Sequence, residues 1–180
     1  MASRVLNLLI VASALLLQLA TMSSALELKS ATVVFGDNAF STVRTAVNKW
    51  LTKSGVAVNI ATECSSTADV CFAFGNSSIA KGIISADQYE ALGPEGYARV
   101  MQGSVVAVDA RGTGIGVSYG VYEVLEAMGF YFFHPLSPSI PAAPLTLSFT
   151  EPSITTNPRW PIRSFHYHTE VRRLSLPHSG

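Results

Sequence analysis

The spacing of hydrophobic positions changes several times along the chain, and each change marks an element. ATVVFG, residues 31–36, is a β-branched run closed by Gly36 and Asp37, which predicts a strand ending in a turn. In FSTVRTAVNKWL the residues Val43, Ala46, Val47, Trp50 and Leu51 recur at helical spacing. They predict an amphipathic helix, N-capped by Asn38 or Ser41 and stopped by Gly55. VAVNIAT (56–62) and DVCFAFG (69–75) read as two further strands, joined by a loop that carries Cys64. Residues 76–96 are polar and hold Gly82, Gly93, Pro94 and Gly96, so they read as loop with one helical turn near 86–92. YARVM (97–101) and VVAVDA (105–110) then predict a hairpin about Gln102, Gly103 and Ser104. In VSYGVYEVLEAMG a second apolar stripe, Val117, Val121, Val124, Leu125 and Met128, predicts a helix that Gly129 ends. The order β-α-β-β-β-β-α predicts an α+β fold in two layers, two helices against one sheet of about five strands.

From Phe130 onward the pattern is broken by prolines, too closely spaced for a long helix. LTLSF (145–149) reads as a short strand. The rest is expected to be an extended proline-rich connector laid along a surface, with Phe130, Tyr131, Phe132, Phe133 and Trp160 as anchors. Residues 151–180 are expected to be mobile, with Trp160 exposed.

The first residues change the picture of where the protein matures. In MASRVLNLLIVASALLLQLATMSSA, Arg4 precedes an apolar run, and the small residues Ser23 and Ala25 stand at the positions a signal peptidase reads. Residues 1–25 are therefore expected to be a secretory signal peptide. A membrane anchor fits less well, because the apolar run is short for a span of ~20 residues and no basic cluster follows. Removing the signal leaves roughly 155 residues, one domain of ordinary size and too few for a (β/α)₈ barrel of roughly 250. Twelve basic and twelve acidic residues cancel, and without a basic excess no nucleic-acid partner is expected.

Export gives meaning to three residues. Cys64 and Cys71 would mature in an oxidising compartment, where cysteines so close in sequence commonly form a disulfide. Metal binding is the alternative, but two thiols without nearby histidines make a poor zinc site. Asn76 opens the sequon Asn76-Ser77-Ser78 and is a candidate glycosylation site. The chain is expected in the secreted, extracellular or endomembrane-lumen fraction, with no membrane association after signal cleavage.

The glycines at 112, 114, 116 and 120 follow a strand and open a helix, the context of a dinucleotide site. Their spacing does not fit G-x-G-x-x-G, since the third glycine would fall on Tyr119 or Val117. Tight turning and close helix–sheet packing at Gly116 and Gly120 explain them better, and no cofactor is expected. Asp69, Asp87, Asp109 and Glu95 fall on different elements and read as solvated or turn residues.

GPEGYARVMQGSVVAVDARGTGIGVSYGVYEVLEAMGFYFFHP (93–135), followed by NPRWPIRSFHYH (157–168), resembles the small domain before the catalytic barrel in glycoside hydrolases of the β-hexosaminidase and α-glucuronidase type, families 20 and 67. The resemblance rests on Glu95 and Tyr97, Val108 and Ala110, Gly116 with Tyr119 and Gly120, Leu125, and then Pro158, Arg159 and Arg163. It is carried by the order of these features, none of which is specific alone. It implies a mixed β-sheet with two helices on one face and no catalytic residues, the reacting carboxylates belonging to the barrel. It also implies that Arg163, matching a first-strand arginine that contacts sugar hydroxyls, binds substrate, although Ser164 replaces the usual glycine. His166, His168 and Glu170 alternate along the same stretch. They fit a polar strand end better than a metal site, and no metal is expected.

The organisation expected is a signal peptide at 1–25, the α+β domain at 26–135, the connector at 136–163 and the start of a missing catalytic barrel at 164–180. The expected function is that of a non-catalytic N-terminal module of a secreted glycoside hydrolase, as a truncated chain or an incomplete gene model. Its partner would be a barrel in cis. The alternative is a stand-alone secreted domain that binds carbohydrate or protein through the aromatic connector.

Overall fold

The computed structural model describes residues 25–112, 114–132 and 138–159. Its elements in chain order are β1 (Leu26–Leu28), β2 (Ser30–Phe35), α1 (Ser41–Ser54), β3 (Ala57–Ala61), β4 (Val70–Phe74), α2 (Ser78–Ile83), α3 (Ala86–Glu90), β5 (Tyr97–Gln102), β6 (Val105–Asp109), α4 (Gly114–Ala127), β7 (Leu145–Leu147) and β8 (Ser153–Thr156). Six strands form a mixed sheet in the order β3-β2-β4-β6-β5-β8, and β1 pairs with β7 beside it. β2, β3, β4 and β6 are parallel, while β5 and β8 run antiparallel to their neighbours. The expected α+β class is the observed one.

Strand alternation decides what covers each face. Phe72, Phe74, Val106 and Val108 point to the side that holds Val43, Val47 and Leu51 of α1 and Val117, Val121, Val124 and Leu125 of α4. Between them Ala73 and Ala107, with Ala98, face the other way and meet Ala80, Ile84 and Leu92. Small side chains there allow the segment of α2 and α3 to lie close to the sheet. That segment was expected to be loop with a single turn. Both short helices owe their starts to serine caps. Ser77 Oγ accepts from Ala80 N at 3.2 Å, and Ser85 and Gln88 form a reciprocal capping box.

α1 begins at Ser41 with Phe40 at its N-cap and no side-chain cap bond, so neither Asn38 nor Ser41 caps it. Asn38 is engaged elsewhere, as described below. Gly55, at φ +92°, ends the helix as expected. Gly116 and Gly120 bring α4 onto the β5–β6 hairpin: a Cβ on Gly116 would strike the Gly96 carbonyl, and one on Gly120 would strike Val108 and Tyr97.

The chain returns from β3 to the parallel β4 through residues 62–69. α1 occupies one face of the sheet, and this strap crosses the other, where Ser65 and Thr67 border a hollow with Thr32 and Asn59. Cys71, in register with Thr32 on that face, is joined to Cys64 in a disulfide. At the amino ends of the strands the exposed Asp69 fastens the strap to β2. One carboxylate oxygen accepts from Lys29 N and Ser30 N, both at 2.8 Å, and from Ser30 Oγ at 2.9 Å.

The proline-rich segment is part of the domain. Leu145 and Leu147 are buried opposite Leu28 and Leu26, and Ser153–Thr156 extends the sheet beyond β5. The expectation that residues 151–180 are mobile therefore fails for 153–156. Four residues, Ser-Ile-Thr-Thr, set between prolines are too few to show a period, and pairing with the open edge of β5 makes them a strand.

Removing the disulfide by a Cys64→Ser, Cys71→Ser double change should cost about 2–3 kcal/mol, the range for so short a closed loop. Urea unfolding of both proteins under oxidising conditions measures it, and added reductant should abolish the difference.

The amide donors of Lys29 and Ser30 hold the Asp69 carboxyl below the ordinary aspartate value of 3.8. A depressed folded value stabilises the protein above the unfolded value, and that contribution disappears as pH falls through the folded one. Protection of the residue 29 and 30 amides, taken as exchange relative to the intrinsic rate at each pH, should therefore fall below about pH 4. Asp69→Asn should remove that pH dependence.

Candidate functional site

In open sheets with parallel strands, ligand sites gather beyond the carboxyl ends of those strands. Here β2, β4 and β6 deliver Gly36, Gly75 and Asp109 to that end. Gly36 N donates to Phe74 O and Gly75 N to Val108 O, both at 2.7 Å, so the three strand ends stay laced together. Gly75 has φ +79°, and a Cβ on it would collide with Asn38, which explains the residue in β-strand context.

Asp109 is 1% exposed and sits at the centre of a closed polar knot. Its Oδ1 accepts from Ala110 N at 2.7 Å and from Asn38 Nδ2 at 3.0 Å, and its Oδ2 accepts from Tyr89 OH at 2.6 Å. Asn38 in turn accepts from Asn76 N at 2.7 Å through Oδ1. Three loops and α3 are thus tied to one carboxyl group. Burial, and after it the bond to Asp109, drives the Tyr89 phenol well above its ordinary value, so it serves as a fixed donor. Both Asp109 oxygens are occupied by protein donors, an arrangement suited to holding loops in place. The expectation that Asp109 is a solvated or turn residue is corrected.

A second buried group, Arg99, lies where the proline-rich segment crosses β5 and α4. It is 3% exposed. Its Nε donates to Glu123 Oε2 at 3.3 Å, one terminal nitrogen donates to Glu151 O at 3.1 Å, and the guanidinium lies 3.7 Å from the Phe149 ring centre. Tyr97 joins the same cluster, its phenol pushed up to about 12 by burial first and by Glu123 second. A planar cation with several donors suits this task, because it can satisfy a carboxylate, a carbonyl and a ring together. The hollow beside it is bordered by Glu126, Thr150 and Ile154.

The third polar feature fixes the far end of the described chain. Asn157 accepts from Gly93 N at 2.6 Å and donates to Ala91 O at 2.9 Å, while Gln88 Nε2 donates to Ser153 Oγ at 2.9 Å. Pro94, Glu95 and Pro158 line a small, mostly apolar hollow next to this clamp.

Of the residues marked in sequence, Cys64 and Cys71 are bonded to each other. Asn76 is half-buried at the end of β4, with its side-chain oxygen 3.4 Å from Asn38 N, while Ser77 is spent as a helix cap. Arg163, His166, His168, Glu170, Phe133 and Trp160 lie outside the described residues. Phe130 is fully buried, Phe132 packs edge-on against Tyr122, and Tyr131 is exposed. Among the described residues no group of three or more His, Cys, Asp and Glu is placed to hold a metal ion, and no helix is long and apolar enough to cross a membrane. At Gly114, the start of α4, a Cβ would collide with Asn38 O and the Phe40 ring, so close packing explains that glycine as well. Nothing in the sequence pattern singled out Asn38, Tyr89 or Asn157 as site-forming residues. Arg99 alone carries a signal in the sequence, as a cation inside an otherwise apolar strand.

Tyr89→Phe leaves one oxygen of the buried carboxyl without its donor. It should lower stability by about 1–3 kcal/mol, measured by urea unfolding, with the far-ultraviolet spectrum unchanged.

No family model matches the sequence, and no curated protein matches it. Among solved structures the chain is similar to CpGH84D, at 18% identity and a TM-score of 0.44, over 54% of this chain and 17% of that one. It is also similar to a GH138 enzyme targeting pectin rhamnogalacturonan II, at 18% identity and a TM-score of 0.38, over 54% of this chain and 13% of that one. The chain thus spans only a small part of either structure, and neither lends it a substrate or a site.

Proposed function

We propose that residues 26–159 form a non-catalytic α+β module of a secreted glycoside hydrolase, the part that precedes and seats a catalytic barrel. The observation that carries this reading is the returned proline-rich segment. β7, β8, the Arg99 cluster and the Asn157 clamp bind it to the domain, so the chain reaches Arg159 at a defined point beside residues 91–96. A module that positions a following domain needs such a fixed exit, whereas an independent domain on a flexible tether does not. The residues behind the family resemblance also form one packing unit. Tyr97, Val108 and Ala110 on the hairpin meet Gly116 and Gly120 on α4. The two buried charged groups fit the same role, since Asp109 fastens loops and Arg99 fastens the proline-rich segment.

Secretion belongs to this proposal and is supported by the apolar amino terminus, the disulfide and the sequon at Asn76. The second reading, a stand-alone domain that binds carbohydrate or protein, draws support from the exposed rings of Tyr119, Tyr122 and Tyr131. It loses support from Phe130 and Phe132, which pack inward instead of forming a contact surface.

The chain expressed alone should hydrolyse no aryl glycoside above background. The assay uses a panel of aryl hexosaminides, hexosides and hexuronides, with repurified protein at several concentrations. Turnover proportional to protein would overturn the module reading. Retardation in polysaccharide-containing native gels, without turnover, would favour the binding-domain reading.

A further inference from the structure

Six-stranded open sheets have two edges, and this protein treats them differently. β8 is a short strand that follows Pro152 and is held by a side-chain bond from Gln88 of α3 to Ser153. β3 has none of the usual protections: Ala57-Val58-Asn59-Ile60-Ala61 contains no charge, no proline and no bulge. Among the described residues nothing pairs with its outer side. Ile60 is 54% exposed.

The hydrogen-bond phase of this strand is fixed by its inner partner. Ala57 N donates to Lys29 O at 2.9 Å, and in a parallel ladder alternate residues face the same neighbour. Ala57, Asn59 and Ala61 therefore spend their backbone groups on β2, and Val58 and Ile60 direct theirs outward. The strand also reads nearly the same in both directions about Asn59, with valine against isoleucine and alanine against alanine. In an antiparallel pairing of two copies centred on Asn59, Val58 of each copy lies opposite Ile60 of the other. These are the residues with outward backbone groups, so each pair can exchange both N–H···O bonds. Asn59 then faces its own copy at the closer, non-hydrogen-bonded spacing.

The helix layer is compatible with this arrangement. A twofold axis perpendicular to the sheet puts both copies of α1 on the same side, since Val58 and Ile60 share the face of Val33. α1 turns Val43, Val47 and Leu51 to the sheet and Trp50 toward Phe132. Its other flank carries the exposed Asn48 and Thr52 and, one turn earlier, Arg44, whose guanidinium is engaged by Ala39 O, Gly36 O and the Phe35 ring. The chain's formal net charge is zero, so no net repulsion opposes association of two copies.

We propose that this protein self-associates through β3, two copies pairing antiparallel about Asn59 so that their sheets become one continuous sheet. The occupant of the free edge is a second copy of this chain, since the strand's hydrogen-bond phase and its side-chain order are both self-complementary.

The full chain, with native Cys64–Cys71, should sediment as a dimer at high micromolar concentration. Asn59→Cys should cross-link into a covalent dimer on air oxidation, because the two Cα atoms would lie about 4.5 Å apart, within disulfide reach. Val58→Cys should cross-link far less, its copies being offset from the axis. Asn59→Asp puts two carboxylates opposite each other and should weaken the dimer at least about tenfold, while circular dichroism reports an unchanged fold. A wild-type chain that remains monomeric would overturn the proposal. A dimer in which Asn59→Cys fails to cross-link and Asn59→Asp has no effect would overturn it too, placing the contact elsewhere. Loss or persistence of the dimer is independent of whether the chain is a hydrolase module.

Discussion

Unequal side chains on the two faces of β4 and β6 govern the rest of this fold. Phe72, Phe74, Val106 and Val108 form a thick apolar layer that needs two full-length helices to cover it. On the reverse, Ala73 and Ala107 leave a thin layer that the short segment of α2 and α3 can close. Burying the large layer supplies most of the apolar driving force, and the thin one draws the loops at the carboxyl ends inward. Once those loops lie close, their polar groups lose water and must find partners within the protein. Asp109 is the consequence, a buried acceptor around which Asn38, Tyr89 and the Ala110 amide converge.

The same reasoning accounts for Arg99. Position 99 lies on β5 beneath α4, where an apolar residue would normally stand. Its guanidinium is tolerated because Glu123, the Glu151 carbonyl and the Phe149 ring replace its water shell. In exchange the domain gains a fixed route for a proline-rich segment with little internal structure. The clamps that complete the sheet thus also fix the path of the chain as far as Arg159.

Glycines allow these layers to approach one another. At Gly116 and Gly120 the backbone of α4 rests on Gly96, Ala110 and Val108 with no room for a methyl group. The sequence resemblance rests in part on Val108, Ala110, Gly116 and Gly120, and in the structure those residues serve packing.

The sequence by itself determined the elements that carry their own period. The stripes of Val43, Val47 and Leu51 and of Val117, Val121 and Val124, the β-branched runs and the glycine stops are local signals, because helix and strand burial repeat along the chain. The proximity of Cys64 and Cys71 belongs to the same class. Tertiary structure decided what depends on a partner distant in sequence. Ser153–Thr156 becomes a strand because β5 has an open edge, and Asn38 abandons a helix cap because Asp109, remote in the chain, needs a donor. Asp109 and Asn157 look like ordinary polar residues in the sequence, since the partners that bury and bond them come from distant segments and leave no local pattern.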